Sequence, residues 1–228
     1  MNSERLKALA AEFGTPFWLY DGAAMRARIG SVLAMTDGDG LQARFAMKSN
    51  PARRVLAEMR RHGLWLDTVS GNEVLRGLRA GFAGGLNPPE IFLTCDVFRD
   101  NALDVLLEHA ILPNLGSPGM VDDLAARDYR GAVSIRVNPG FGHGHVNACD
   151  TGGPSSKHGV WIDEVAELGR RAGALGMRPC MLHAHIGSGP QFQELVDNLA
   201  RLAEDFGELA AAFPQLEAVS LGGGIPHD

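Results

Sequence analysis

Five groups of residues in this chain have types and spacings that could do chemistry. Lys48 ends the apolar run "QARFAMK" (42–48). Burial at such a place would strip solvent from the ammonium form, lower its pKa and free the amine as a nucleophile, with a Schiff base to an aldehyde as its natural use. The plainer reading is a lysine that lays its stem on apolar neighbours and keeps its charge in water. "HAHIGSG" (183–189) puts His183 and His185 on one face of a strand, because side chains alternate. The pair could ligate a metal, although no third ligand stands at matched spacing. One imidazole could instead lie against a planar ring, or both could bond to nearby carbonyls. Gly187 and Ser188 then open a turn able to offer a backbone N–H and a hydroxyl to a phosphate. In "LGGG" (221–224), Gly222, Gly223 and Gly224 follow an apolar run, where they either let backbone donors approach an anion or simply make a tight turn.

Arg136 in "SIRVNPG" and Asp67 in "LWLDTVS" are charges inside apolar runs, and a buried charge requires a partner. Arg136 could face a phenolate, a phosphate or a neighbouring aspartate, and Asp67 could pair with Lys48, His185 or Arg136. The Gly-rich segment "NPGFGHGHVNACDTGGPSSKHGVW" (138–161) carries His143, His145, Cys149 and Asp150. Their types suit a metal, but the surrounding glycines supply no scaffold, so a flexible substrate-facing loop is expected and no metal is assigned. Connections this long are usually functional or disordered. Taken together, an amine, a ring-stacking imidazole, a phosphate cradle and an arginine describe a site for a planar phosphorylated aldehyde, pyridoxal 5'-phosphate.

The elements that must position these residues follow a strand–helix rhythm. "TPFWLYD" (15–21) reads as a first strand and 22–34 as a helix. Seven further strand-like runs follow at 42–48, 64–70, 90–95, 110–116, 132–138, 179–187 and 217–223. Amphipathic stretches with apolar residues at three- and four-residue steps separate most of them. Ser117-Pro118 is expected to cap a helix, and Gly63, Gly81 and Gly176 to stop helices. Apolar strands alternating with such helices imply a parallel sheet covered by helices. "KSNPARR" after the first of the seven lacks the GxGxxG of a dinucleotide fold. Reactive residues gather at the strands' C-terminal ends, as at the mouth of a (β/α)₈ barrel. The expected fold is therefore an α/β TIM-type barrel of about seven strands, one short of closure, with residues 1–34 leading into a barrel spanning 35–228. The chain would then stop before the eighth strand.

Composition narrows the partners. The chain has 228 residues, 45% of them hydrophobic, with 21 Lys plus Arg against 27 Asp plus Glu. A net charge of −6 argues against a nucleic-acid binder. Three cysteines, Cys95, Cys149 and Cys180, make no CxxC pair, which fits a reducing cytoplasm. The N-terminal "MNSERLKALAAEFG" has no signal-peptide pattern, and no run is long enough to span a membrane.

"TPFWLYD", "RFAMKSN", "LDTVSGNEVLRGLRAGF", "IRVNPGFGHGH…TGGPSSKHGVW", "LHAHIGSG" and "SLGGG" occur in that order. In this order they resemble the diaminopimelate decarboxylases, of the alanine-racemase-like class of pyridoxal-phosphate enzymes. The long loop separates that family from the related ornithine and arginine decarboxylases. The resemblance implies that Lys48 bonds the cofactor aldehyde and His185 stacks on its ring. It also implies that Ser188 and Gly224 contact the phosphate, with Gly222 and Gly223 adjacent, that Arg136 reaches the phenolic oxygen and that Asp67 lies beside the active site. It implies conversion of meso-2,6-diaminopimelate to L-lysine and carbon dioxide by a homodimer. It further implies a β-rich C-terminal domain with "EPGR" and "CESGD" motifs, neither of which occurs here, so these residues alone are not expected to turn over. The alternatives are a single-domain pyridoxal-phosphate carrier and a non-catalytic barrel that completes another chain.

Overall fold

The computed structural model describes residues 2–38, 40–144, 150–189 and 191–224. The chain divides into two compact units, Met1–Ala43 and Arg44–Asp228. The first holds helices α1 (Ser3–Phe13) and α2 (Gly22–Met35). Each starts on a side-chain cap. Asn2 accepts from the Arg5 N–H at 3.0 Å, and Asp21 accepts from Ala23 and Ala24 at 2.9 and 3.1 Å. These bonds satisfy N–H groups that a helix cannot satisfy internally. Between the helices, the strand expected over 15–21 is not formed. A strand exists only through its ladder, and among the described residues none pairs with this segment, whose Trp18 is 91% exposed.

The second unit contains β1 (Arg44–Ala46), α3 (Arg53–Arg61), β2 (Trp65–Thr68), α4 (Gly71–Arg79), β3 (Ile91–Cys95), α5 (Ala102–His109) and β4 (Leu112–Leu115). It continues with α6 (Gly119–Ala125), β5 (Ala132–Asn138), β6 (Val160–Trp161), α7 (Ile162–Ala174), β7 (Arg178–His183), α8 (Phe192–Ala210) and β8 (Ala218–Ser220). Every pairing is parallel, and the sheet order is β1-β2-β3-β4-β5-β7-β8, an incomplete barrel wrapped by helices. All seven strand-like runs from 42 onward appear, most of them trimmed at their ends. Leu66, Ile91, Leu93, Val133, Ile135 and Leu182 are fully buried, each contributing about 1.5–3 kcal/mol of transfer free energy. Gly63, Gly81 and Gly176 follow α3, α4 and α7 with positive φ, as helix stops.

Two details depart from the sequence pattern. Ser117 does not cap α6; its hydroxyl donates to the Asp96 carbonyl at 3.0 Å, and Pro118 holds the cap position. The two-residue β6, unforeseen, returns the long loop to the end of β5, pairing Val160 with Val137 and Trp161 with Asn138.

Candidate active site

The C-terminal ends of the strands enclose a cavity of about 990 Å³ lined by all eight expected site residues: Lys48, Asp67, Arg136, His185, Ser188, Gly222, Gly223 and Gly224. Its floor is built on buried strands. Register places Arg136 of β5 beside His183 of β7, and His183 beside Ser220 of β8. Arg136 is 7% exposed, and its guanidinium lies 3.5 Å from the carboxylate of Asp96, so its partner is the neighbouring-aspartate option. Burial lowers its pKa, an effect that Asp96 opposes. Asp67 pairs with none of the three candidates named from sequence. It accepts the Thr94 hydroxyl at 2.6 Å, and burial raises its pKa to about 6 against that bond and the fields of Arg44, Lys48 and Arg136. Arg44 spends its donors on carbonyls, including that of Pro89 at 2.8 Å, and lies over the Trp65 and Phe92 rings. Its pKa is pushed down to about 10 by burial.

The rim is made by turns beyond the strands. Lys48 lies in a 3-10 turn, Met47–Ser49, past the end of β1. It is exposed, as in the plainer reading of a lysine that keeps its charge in water: β1 stops at Ala46 and the chain turns the side chain to the cavity mouth. His185 follows β7, and its Nδ1 accepts the Gly223 N–H at 3.4 Å. Burial, with Arg136 and Lys48 nearby, pushes its pKa down to about 4, so the ring is neutral at pH 7 with its proton on Nε2. Gly222 and Gly224 have φ of 77° and 93°. A Cβ on them would stand 2.4 Å from the Ala184 oxygen and 2.2 Å from the Gly187 oxygen. Only glycine lets the turn after β8 nest against the turn after β7, beside Ser188.

The loop returning to β6 also reaches this cavity, through Thr151, Lys157 and His158. His158 donates from Nδ1 to Asp96 at 2.6 Å, so one carboxylate holds both the loop and Arg136. Sequence reasoning missed Asp96, His158 and Arg44. A signal existed for each: Asp96 follows directly on the β3 run, His158 stands in "SKHGVW", and alternation puts Arg44 on the face of Ala46 and Lys48. Of the loop residues first considered, His143 is buried with Nδ1 3.7 Å from Glu194, and Asp150 accepts from the Gly153 N–H at 3.1 Å. His145 and Cys149 lie outside the described residues. Among the described residues no three His, Cys, Asp or Glu converge as for a metal.

The residues present fit a phosphorylated aldehyde. The close-packed glycine turns bring the backbone of Gly224 up to Ser188, whose hydroxyl oxygen would lie 3.2 Å from a Cβ placed there. In a chain of net charge −6, the cavity wall carries Arg44, Lys48, Arg99, Arg136 and Lys157 against Asp67, Asp96 and Asp100. Such a local excess of cations suits a phosphate. The family model described as the pyridoxal binding domain of pyridoxal-dependent decarboxylases matches residues 28–228. The chain belongs to this family. Pyridoxal-dependent decarboxylases are accordingly its named relatives. Diaminopimelate decarboxylase of Streptomyces coelicolor is 36% identical over 225 residues, covering 99% of this chain and 49% of the relative. That of Escherichia coli K12 is 35% identical over 228 residues, covering 99% and 52%. A crystal structure of diaminopimelate decarboxylase superposes with a TM-score of 0.86 at 35% identity, covering 99% of this chain and 52% of that one. The Helicobacter pylori enzyme complexed with L-lysine, at 24% identity and a TM-score of 0.88, shares the fold over 97% of this chain and 57% of its own. The chain spans about half the length of the curated relatives it matches. No helix among the described residues is long and apolar enough to cross a membrane.

Proposed function

We propose that this chain is the cofactor-binding part of a diaminopimelate decarboxylase, converting meso-2,6-diaminopimelate to L-lysine and carbon dioxide as a homodimer in the cytoplasm. The observation that carries the reading is the convergence of Lys48, of His185 with Ser188, and of the glycine triplet on one cavity from three separate chain segments. The 35–36% identity to diaminopimelate decarboxylases supports the choice of substrate. The relatives described are decarboxylases, and none supports the carrier alternative.

In this reading Lys48 would hold the cofactor's aldehyde carbon through Nζ and exchange it for the substrate's amine. Gly222, Gly223, Gly224 and Ser188 would hold the phosphate, His185 would lie against the ring, and Arg136 and Asp67 would border it. When bound, pyridoxal phosphate supplies an electron sink for the pair left on the α-carbon as carbon dioxide departs. The chain's own contribution is orientation and charge. A neutral His185 offers a flat face without adding a cation beside Lys48 and Arg136. Asp67, with its pKa near 6, can hold a proton beside the cavity.

The test is carbon dioxide release by the natural-length protein from meso-diaminopimelate, ornithine, arginine and lysine, with and without pyridoxal phosphate. Cofactor-dependent release with diaminopimelate strongly preferred is expected. Preference for any of the other three would overturn the substrate assignment.

A further inference from the structure

His183 is 7% exposed at the C-terminal end of β7, and it lines the cavity. Its surroundings fix its tautomer. The Ser134 hydroxyl donates to Asn114 Oδ1 at 2.9 Å, and the Asn114 amide donates to His183 Nδ1 at 2.9 Å. Ser134 and Asn114 are fully buried, so this relay has no competing water. Nδ1 is therefore an acceptor, and the ring proton sits on Nε2. That N–H has no protein partner among the described residues and is not sealed away as a buried unsatisfied atom. It opens on the cavity.

We propose that His183 is a further ligand-contacting residue, whose Nε2–H, locked as a donor by Asn114 and Ser134, binds an anionic oxygen in the cavity. The neighbourhood selects an anion. Arg136 stands beside His183 in register, and Arg44 lies close enough for its field to act on the ring. Burial first, then Arg136, His185 and Arg44, hold the imidazole neutral by pushing its pKa well below 6.5. The residue thus adds a directed donor without another cation. Two sources offer such an oxygen: the phenolate of pyridoxal phosphate and a carboxylate of an amino-acid substrate. The inference rests on the proposed function, since both ligands belong to that reading.

The experiment compares two amide replacements in the natural-length protein. In His183→Gln the amide nitrogen can take the place of Nε2; in His183→Asn it can take only the place of Nδ1. Cofactor dissociation is read by absorbance titration of the apoprotein, and substrate KM by carbon dioxide release. His183→Gln should stay within roughly threefold of the parent, while His183→Asn should weaken one of the two by roughly tenfold or more. A loss in cofactor dissociation assigns the phenolate, and a loss confined to KM assigns the carboxylate. Equal losses for both variants, or no loss for His183→Asn, would overturn the proposal. NMR of histidine-labelled unsubstituted protein covers the case in which neither variant folds. It should show the His183 proton on Nε2 and a shift of that signal when pyridoxal phosphate or the substrate is added; a proton on Nδ1, or a signal unmoved by either, would overturn it. Wild-type protein that captures no pyridoxal phosphate on Lys48 removes the underlying reading. Capture on Lys48 with Gln and Asn variants alike removes this inference alone.

Discussion

The floor and the rim of the cavity are built differently. Arg136 and His183 stand on β5 and β7; every residue of β5 is buried, and β7 is buried from Cys180 to His183. Lys48, His185 and the glycine triplet stand on turns, and β8, which carries the triplet, is short and exposed, with Val219 51% accessible. The floor's geometry is set by packing, so truncating its apolar side chains is felt as stability, while its polar groups, Arg136 and His183, are held rigidly where they line the cavity. The rim's geometry is set by single close approaches and hydrogen bonds, so changes there are felt as ligand affinity. This division is common where function rests on loops held by a rigid scaffold.

The largest effect is expected at the rim. Lys48→Ala should lower carbon dioxide release by the natural-length protein by roughly 10³-fold or more with the thermal midpoint nearly unchanged; a large stability loss instead would make Lys48 part of the scaffold. Next comes the floor. Ile135→Ala on β5 should cost about 2–5 kcal/mol in denaturant unfolding, because it leaves a cavity among fully buried neighbours. Gly224→Ala should weaken pyridoxal phosphate binding by about tenfold or more, since its Cβ would enter the Gly187 carbonyl; unchanged binding would break the claim that the glycine turns shape the cradle.

A pH test sharpens the floor. The folded pKa of Asp67 is raised from 3.8 to about 6. Its contribution to stability is complete below pH 3.8 and is lost as pH rises through 6, because the native state holds a proton that the unfolded state releases. Asp67→Asn should therefore raise stability relative to the parent above pH 6, with the advantage fading toward pH 3.8. A constant difference across that range would assign the effect to packing. The smallest effect is expected for Val219→Ala on exposed β8, within about 0.5 kcal/mol in the same unfolding assay.

Much of this architecture is legible in the sequence. Apolar runs and three-to-four periodicity report burial, and burial here follows the central strands β3, β4, β5 and β7 of the parallel sheet. The failures share a physical cause. "TPFWLYD" has a strand's composition, but a ladder depends on a neighbour that local pattern does not encode. β6 is two residues long, below what periodicity can register. The apolar run that reaches Lys48 leaves burial and a charge kept in water both open, and the turn after Ala46 decides for exposure. Asp67 and Arg136 were recognised as anomalous charges, yet the partner of Asp67, Thr94, lies 27 residues away in sequence, and Asp96, which holds Arg136, lies 40 away. Which polar groups meet across strands is decided by register, and register emerges only on folding.

The central claim is that Lys48 is the residue on which this cavity holds pyridoxal phosphate. Borohydride reduction of the natural-length protein incubated with pyridoxal phosphate, followed by peptide mapping, tests it most directly. The pyridoxyl group should be found on the peptide containing "FAMKSN", at Lys48; its location on Lys157 or any other lysine would contradict the account.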